Sequence, residues 1–210
     1  MKEKILLIGC GGQARIVVDI LLEQKKYEIA GFVDSNMTVY RNVSTIGQDK
    51  DLEDLFASGI KNAFVCVGAL ANTNLRENLF NKLNTIGYNF PDVIHSSVIL
   101  GYNVKIGCGS FLGVGVIVNN NVQIACNCLI NTGTIIEHDV VIGNNVHLAP
   151  RVTICGGVEV GDNCFVGAGA IILESRKVKE RTIIGALSLV NKDVLETGVI
   201  GYGVPFRKRI

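Results

Sequence analysis

The residues best suited to proton transfer near neutral pH are three histidines, His95, His138 and His147. An exposed imidazole can act as a general base. His138 lies between Glu137 and Asp139, and a carboxylate beside an imidazole fixes its tautomer and orientation. The sequence does not choose between these carboxylates, and it equally allows a solvated polar turn. We predict His138 as the candidate base and interpret His95 as structural.

Metal binding is the competing chemistry for histidines. The sequence has no histidines five residues apart and no cysteines separated by two residues, which are spacings typical of zinc sites. We therefore predict no metal. The odd number of cysteines, seven, favours buried reduced thiols in a cytoplasmic protein over disulfides.

Glycines near the start of the chain provide a second candidate site. Gly9, Gly11 and Gly12 follow an apolar run and precede a helical pattern, so a phosphate could approach the backbone at a helix N-terminus. The spacing also fits a loose dinucleotide fingerprint, but the domain is too short for a second mononucleotide-binding half. We predict a mononucleotide or nucleotide-sugar ligand. Tight packing of strand against helix is the alternative role of these glycines.

Strands that alternate with helices indicate how this second site is built. Apolar runs predict strands over residues 4–9, 29–34 and 63–68, with helices between and after them. This alternation predicts a small parallel α/β sheet with right-handed crossovers over residues 1–91. Ligands of such sheets lie beyond the carboxyl ends of the strands. The residues expected there are Gly11, Gly12, Gln13, Asp34, Ser35 and Gly68.

The rest of the chain, residues 92–210, has an aliphatic residue at every sixth position. All seventeen such positions from Ile94 to Val190 are Ile, Leu or Val. A period of six is the signature of a parallel β-helix, in which each six-residue run forms one side of a coil. In a triangular coil, residues eighteen apart stack ~4.8 Å above one another. Aliphatic side chains then fill the interior, which confines chemistry to the corners or to clefts between subunits.

The charge balance argues against several classes of partner. Lys and Arg number 20 and Asp and Glu number 19, for a net charge of +1, which is not the footprint of a nucleic-acid-binding protein. No apolar run reaches the ~18 residues of a membrane-spanning helix, and the start lacks the pattern of a signal peptide. We therefore predict no nucleic acid, no membrane and a cytoplasmic location.

Three stretches resemble the hexapeptide-repeat sugar acyltransferases. They are GCGGQARIVVDIL from Gly9, NTGTIIEHDVVIGNNVHLAPRVTICGGVEVGDNCFVGAGA from Asn131, and GVPFRKRI at the end. The matching branch includes UDP-4-amino-sugar N-acetyltransferases of the bacillosamine pathway and proteins of the sialic-acid O-acetyltransferase type. The resemblance implies a left-handed β-helix and a homotrimer with active sites between neighbouring subunits. It also implies acetyl-CoA as donor and a nucleotide-linked amino sugar as acceptor.

The resemblance also implies roles for individual residues. His138 matches the family's catalytic base, and Asp139 matches an acidic residue, commonly Glu, that assists it. The positions that match contacts to acetyl-CoA are Asn131, His147, Ala168 and Ala186. The nucleotide-sugar site corresponds to the six strand-end residues named above. Among these, Gln13 stands where the family usually has His.

These assignments predict direct acetyl transfer to the amino group of a nucleotide-linked sugar of the UDP-4-amino-sugar type. Gly156 follows His138 by eighteen residues, so its amide is expected one coil above as the donor to the developing oxyanion. Two alternatives remain open. An O-acetyltransferase acting on sialic acid or a related sugar would use the same residues, whereas a non-catalytic trimeric scaffold or nucleotide sensor would not bind acetyl-CoA and would not need His138.

Overall fold

The computed structural model describes residues 2–68 and 74–209. They form two compact units, one of residues 2–68 and 75–93 and the other of residue 74 and residues 94–209. No helix among the described residues is long and apolar enough to cross a bilayer.

The first unit is built around a five-stranded sheet with strand order β3-β4-β2-β1-β5. Its strands are β1 (Lys4–Ile8), β2 (Glu28–Val33), β3 (Val39–Tyr40), β4 (Val43–Gly47) and β5 (Asn62–Val65). The helices are α1 (Gly12–Gln24), α2 (Leu52–Ala57) and α3 (Asn74–Ile86), and a 3₁₀ turn spans Asp49–Asp51. β1 pairs in parallel with both β2 and β5, as the alternation of strands and helices predicts.

Two of these strands, β3 and β4, were not predicted from the sequence. In β4 the apolar pattern is inverted, because Thr45 is buried while Ile46 is 43% exposed. The Thr45 hydroxyl can be buried because it donates to the carbonyl oxygen of Asn36 at 3.0 Å. A buried threonine and an exposed isoleucine conceal the alternation that identifies a half-buried strand.

The second unit is a parallel β-helix of seventeen two-residue strands, β6 to β22, followed by β23 and β24. Neighbouring strands pair in parallel with partners eighteen residues apart, as Ile117 does with Ile135. The six-stranded sheet contains β7 (Ile99–Leu100), β10 (Ile117–Val118), β13 (Ile135–Ile136), β16 (Thr153–Ile154), β19 (Ile171–Ile172) and β22 (Leu189–Val190). A five-stranded sheet contains β8 (Lys105–Ile106), β11 (Gln123–Ile124), β14 (Val141–Ile142), β17 (Glu159–Val160) and β20 (Lys177–Val178). The eight-stranded sheet contains β6 (Val93–Ile94), β9 (Phe111–Leu112), β12 (Leu129–Ile130), β15 (His147–Leu148), β18 (Phe165–Val166), β21 (Ile183–Ile184), β23 (Ile200–Tyr202) and β24 (Arg207–Lys208).

The second residue of each two-residue strand is the aliphatic of the six-residue period. From Leu112 to Val190 all of these residues are buried in one continuous core. Leu100, in the first coil, is exposed instead, because no earlier coil covers it. The repeat therefore stabilises the fold by stacking, and it does so least at its open end.

Three columns of corners separate the three sheets, and we name them by one coil. Corner A is residues 137–140 and the equivalents eighteen apart, between the six-stranded and five-stranded sheets. Corner B is residues 143–146 and equivalents, between the five-stranded and eight-stranded sheets. Corner C is residues 149–152 and equivalents, between the eight-stranded and six-stranded sheets.

The cysteines are less uniformly buried than predicted. All seven are reduced, and Cys10, Cys66, Cys128 and Cys164 are buried. Cys108 is exposed, and Cys126 and Cys155 are half-buried. These three lie at the first or second position of a four-residue corner, whereas Cys128 and Cys164 occupy the last position of corner B, which faces the aliphatic core.

Candidate active site

The imidazole of His138 is held by a neighbouring carboxylate at corner A. Its Nδ1 lies 2.8 Å from Oδ2 of Asp139, and the two side chains are 61% and 58% exposed. The second carboxylate oxygen of Asp139 accepts a hydrogen bond from the side-chain amide of Asn121 at 3.2 Å. Because an ionised carboxylate only accepts, Nδ1 of His138 carries a proton, and in the neutral imidazole Nε2 therefore has the lone pair. The hydrogen bonds from His138 and Asn121 lower the pKa of Asp139.

Asp139 can face the imidazole because of its backbone conformation. Its φ of 59° is left-handed, a conformation that Asp and Asn tolerate better than most residues. Glu137, the other carboxylate that the sequence allowed, accepts instead from the Asn119 side chain at 2.9 Å. The structure therefore places Asp139, and not Glu137, against His138.

Gly156 lies one coil above His138, as the eighteen-residue period predicts. A Cβ atom at Gly156 would come within 2.8 Å of Nε2 and 2.7 Å of Cε1 of His138, so the imidazole sits directly against the glycine backbone. The Gly156 carbonyl accepts from the Ser175 amide at 2.9 Å, but no described residue accepts a hydrogen bond from the Gly156 N–H. This half-buried N–H is thus available beside the free Nε2.

The other predicted acetyl-CoA residues lie at or beside corner C. The side-chain amide of Asn131 donates to Nε2 of His147 at 2.8 Å and to the Leu148 carbonyl at 3.0 Å. His147 is only 9% exposed, and its ring packs edge-on against Phe165 with centroids 5.0 Å apart. Ala168 and Ala186 are exposed on the same corner column. One chain therefore does not bring these residues to His138, because the width of the six-stranded sheet separates corner C from corner A.

The six-stranded sheet that separates the two corners has an apolar outer face. The first residue of each strand points outward, and in five of the six strands it is Ile or Leu. Ile99, Ile117 and Ile171 are exposed, while Ile135 and Leu189 are half-buried. On the five-stranded sheet of the β-helix the same positions are occupied by Lys105, Gln123, Val141, Glu159 and Lys177.

The first unit has a cavity of about 500 Å³ at the carboxyl ends of its parallel strands. Gly9, Asp34 and Ser35 are among its lining residues. Burial alone would raise the pKa of Asp34, but N–H groups of Asn36 and Cys10 that donate to its carboxylate lower it below the usual value. The cavity is therefore lined by an ionised carboxylate whose oxygens already accept hydrogen bonds from the backbone.

Sequence reasoning missed the segment Gln48–Lys50, which also lines this cavity. It follows β4, whose carboxyl end meets the same edge of the sheet as those of β1 and β2 because β4 is parallel to β2. If β4 had been recognised as a strand, its carboxyl end would have pointed to this segment.

The N-terminus of α1 offers backbone N–H groups without a side-chain cap. Its N-cap is Gly11, so no N-cap side chain accepts hydrogen bonds from the first turn, and that turn has no acidic residue. Gly11 and Gly12 have open space where a Cβ would stand. The buried Nε2 of Gln13 has no hydrogen-bond partner among the described residues. Gly11, Gly12, Gln13 and the exposed Gly68 are not among the lining residues of the cavity.

Comparison with known proteins places this architecture in a family. Residues 4–83 match the family model of the PglD N-terminal domain, and residues 121–156 and 139–174 match the bacterial transferase hexapeptide model. The structure of a perosamine N-acetyltransferase from Caulobacter crescentus, solved with CoA and GDP-perosamine, is 30% identical with a TM-score of 0.92. The match covers 98% of this chain and 96% of that one. The chain belongs to the hexapeptide-repeat sugar acyltransferases.

Other solved structures share the fold of this acyltransferase. The acetyltransferase domain of PglB from Neisseria gonorrhoeae is 22% identical, with a TM-score of 0.91 over 99% of this chain and 100% of that one. WeeI from Acinetobacter baumannii is 24% identical, with a TM-score of 0.85 over 99% of this chain and 100% of that one. A search of curated proteins found no match. The predicted family and fold class, an α/β domain followed by a left-handed parallel β-helix, are confirmed, and the roles of individual residues stay predictions.

Proposed function

We propose that this acyltransferase transfers acetyl from acetyl-CoA to the amino group of a nucleotide-linked amino sugar. The observation that carries the proposal is the exposed imidazole of His138, with Nδ1 bonded to Asp139 and Nε2 beside the Gly156 backbone. The substrate class is supported by the 30% identical enzyme that was solved with CoA and GDP-perosamine. In this proposal residues 1–91 bind the nucleotide sugar and residues 92–210 carry out acetyl transfer.

The proposed chemistry needs one base and no covalent intermediate on the protein. Acetyl-CoA supplies an acetyl thioester. Nε2 of His138 accepts a proton from the acceptor amine as its nitrogen bonds to the acetyl carbon, and returns a proton to the sulfur as the carbon–sulfur bond breaks. Asp139 holds the Nδ1–H tautomer and stabilises the imidazolium.

Gly156 is the proposed donor to the oxygen that becomes negative during the reaction. Its N–H makes no hydrogen bond to any described residue, so it can donate without breaking a contact of the fold. One well-placed donor of this kind stabilises a transition state by ~3–4 kcal/mol. The absence of a Cβ at Gly156 also leaves the space that the imidazole occupies.

In the proposed site, the first unit binds the nucleotide part of the substrate. The uncapped N-terminus of α1 suits an anion such as a diphosphate, because its N–H groups and the helix dipole both favour negative charge. Gln13, whose buried Nε2 lacks a partner among the residues described, is a suitable donor to that anion. Asp34 and Ser35 line the adjoining cavity, where they can accept hydrogen bonds from a ribose or a base.

A homotrimer completes the proposed site. The apolar outer face of the six-stranded sheet is bounded by corner A on one edge and corner C on the other. Burying this face around a threefold axis brings corner A of each chain against corner C of the next. His138 then faces Asn131, His147, Ala168 and Ala186 of a neighbouring copy. We further propose a cytoplasmic location, because an odd number of cysteines, seven, favours reduced thiols over disulfides.

The deciding experiment is an acetyl-transfer assay of the purified protein with acetyl-CoA and a panel of UDP-, dTDP-, GDP- and CMP-linked sugars. Each sugar is offered as its amine and as the matching hydroxyl compound, and free CoA and acetylated product are both measured. We expect turnover with an amine. Turnover only with hydroxyl acceptors would replace the proposal with O-acetylation, and the absence of both turnover and acetyl-CoA binding would favour a scaffold or sensor.

His138→Gln tests the proposed base in the same assay. We expect kcat to fall about 10²–10⁴-fold with an unchanged melting temperature. His95→Gln is the control histidine variant, because His95 bonds locally to Ser97 at 2.8 Å and lies in the first coil of corner C, two coils away from Asn131. Near-normal turnover by His138→Gln would remove His138 from the reaction.

A further inference from the structure

A ladder of side chains at corner A leads from the surface to the proposed base. The side-chain amide of Asn103 donates to the side-chain oxygen of Asn121 at 3.2 Å. Asn121 donates in turn to Oδ1 of Asp139 at 3.2 Å, and Oδ2 of Asp139 contacts Nδ1 of His138 at 2.8 Å. Each of the three ladder residues follows the previous one by eighteen residues, or one coil, and all share one left-handed backbone conformation, with φ of 57°, 59° and 59°.

The ionised carboxylate sets the direction of every hydrogen bond in this ladder. Asp139 can only accept, so Asn121 must present its NH₂ group to Asp139 and its oxygen to Asn103. Both carboxylate oxygens of Asp139 are then engaged, one by Asn121 and the other by His138. The Asp139 backbone is fixed independently, because its N–H donates to the Asn120 carbonyl at 3.0 Å. Asn121 therefore restricts the one freedom that remains to Asp139, the rotation of its side chain.

The left-handed conformation by itself does not require asparagine at position 121. At corner C the equivalent left-handed positions Gly115, Gly133 and Gly169 are glycines, which adopt it without strain. At corner B, Asn127 donates to Asn145 at 2.8 Å, and no pair like His138 and Asp139 lies beside them. Such ladders therefore also serve stability alone. An experiment must therefore separate a purely structural ladder from one that acts through His138.

We propose that Asn121 is a positioning residue that acts through Asp139 to fix the tautomer and orientation of the His138 imidazole. The proposal rests on the proposed function, in which His138 is the base. Without Asn121, the Asp139 carboxylate rotates toward solvent and the imidazole samples the Nε2–H tautomer, which cannot accept a proton at Nε2. Asn103 is the outer member of the ladder and touches neither Asp139 nor His138.

Asn121→Gly and Asn103→Gly form a matched pair for the kinetic test. Both variants remove one asparagine side chain from the same column, and glycine keeps the left-handed backbone unstrained. We expect Asn121→Gly to lower kcat about tenfold with KM for both substrates within about twofold of wild type, and Asn103→Gly to remain within about twofold in kcat. Equal losses in the two variants, or an unchanged kcat in Asn121→Gly, would overturn the proposal.

The second test needs no substrate and so separates this proposal from the proposed function. The ¹⁵N chemical shifts of the His138 ring, assigned with His138→Gln, report which nitrogen carries the proton. We expect the Nδ1–H form in wild type and Asn103→Gly and a mixture of tautomers in Asn121→Gly. Identical shifts in all three proteins would overturn the positioning role even if the wild type acetylates an amine. If the wild type is inactive on every acceptor but Asn121→Gly still changes the tautomer of His138, the positioning role is supported and only the proposed function is defeated.

Discussion

At the scale of single residues, the backbone of Gly156 lies close enough to the His138 imidazole that an added side chain would displace the ring. The backbone of Gly156 is not left-handed, so alanine can adopt it. Its Cβ, however, would lie 2.7–2.8 Å from two atoms of the imidazole, closer than van der Waals contact allows. Because His138 is exposed, its side chain can move away without disturbing the core.

Gly156→Ala is therefore expected to impair activity without unfolding the protein. A displaced imidazole loses its alignment with the acceptor amine, and we expect kcat to fall about 100-fold while the free energy of unfolding changes by less than about 0.5 kcal/mol. Steady-state kinetics and chemical denaturation of the same preparation measure both quantities. In the double variant with His138→Ala no imidazole remains to be displaced, so the added effect of Gly156→Ala should be small. Full additivity would contradict displacement of the ring.

Asp34 provides a test of pH dependence in the first unit. Its pKa is lowered because backbone N–H groups donate to its carboxylate, and removing these charge-assisted bonds in Asp34→Asn should cost about 1 kcal/mol. A carboxyl group with a lowered folded pKa stabilises the protein above its unfolded pKa of about 3.9 and loses that contribution as pH falls through the folded pKa. Denaturation curves at about pH 7, 5 and 3 should show an equal difference between wild type and variant at the first two values and a smaller one at the third. A difference that grows toward acid pH would contradict this account.

At the scale of elements, the β-helix was the most predictable part of the fold, and β4 the least. Each two-residue strand repeats the same environment one coil later, so the aliphatic of one coil rests on that of the next, as Ile124 does on Ile142. Because of that regularity, the local sequence is sufficient to predict each strand of the β-helix. In β4, by contrast, burial of Thr45 depends on a hydrogen bond to Asn36, and a contact of this kind leaves no periodic trace in the sequence.

Ile142→Ala and Val141→Ala test the alternation within one strand. Ile142 is 1% exposed and Val141 is 42% exposed, although they are neighbours in β14. We expect Ile142→Ala to lower the free energy of unfolding by about 2–5 kcal/mol, because it leaves a cavity in the stacked core. Val141→Ala should change it by less than about 0.5 kcal/mol. Denaturation at a single protein concentration gives the comparison, and similar losses in both variants would contradict the assigned faces.

At the scale of the whole molecule, the apolar face of the six-stranded sheet decides whether the proposed site can exist. Asn131 and His147 contact each other, but they lie across that sheet from His138. In the proposed trimer, neighbouring copies around a threefold axis would bring the two groups of residues together, because corner A of each copy would face corner C of the next.

Ile117→Lys and Val141→Lys test this assembly as a matched pair. Both residues are β-branched, both are the first residue of a two-residue strand, and their exposures are 39% and 42%. Only Ile117 lies on the six-stranded sheet. We expect Ile117→Lys to give the mass of a single chain by analytical ultracentrifugation and to lose acetyl transfer, whereas Val141→Lys keeps three chains and its activity. A trimer that tolerates the lysine at position 117 would place the interface elsewhere.

The sequence by itself determined the parallel β-helix, its eighteen-residue coil and the stacking of Gly156 on His138. These follow from a strict period, because a residue in a repeat has the same neighbours in every coil. Only the tertiary structure decided that Asp139 rather than Glu137 holds His138, since both carboxylates are adjacent to it in the chain. The tertiary structure also showed that Gln48–Lys50 lines the cavity of the first unit and that the two groups of site residues lie on separate corners. These features depend on side-chain direction and on pairing between distant segments, which composition and spacing do not encode.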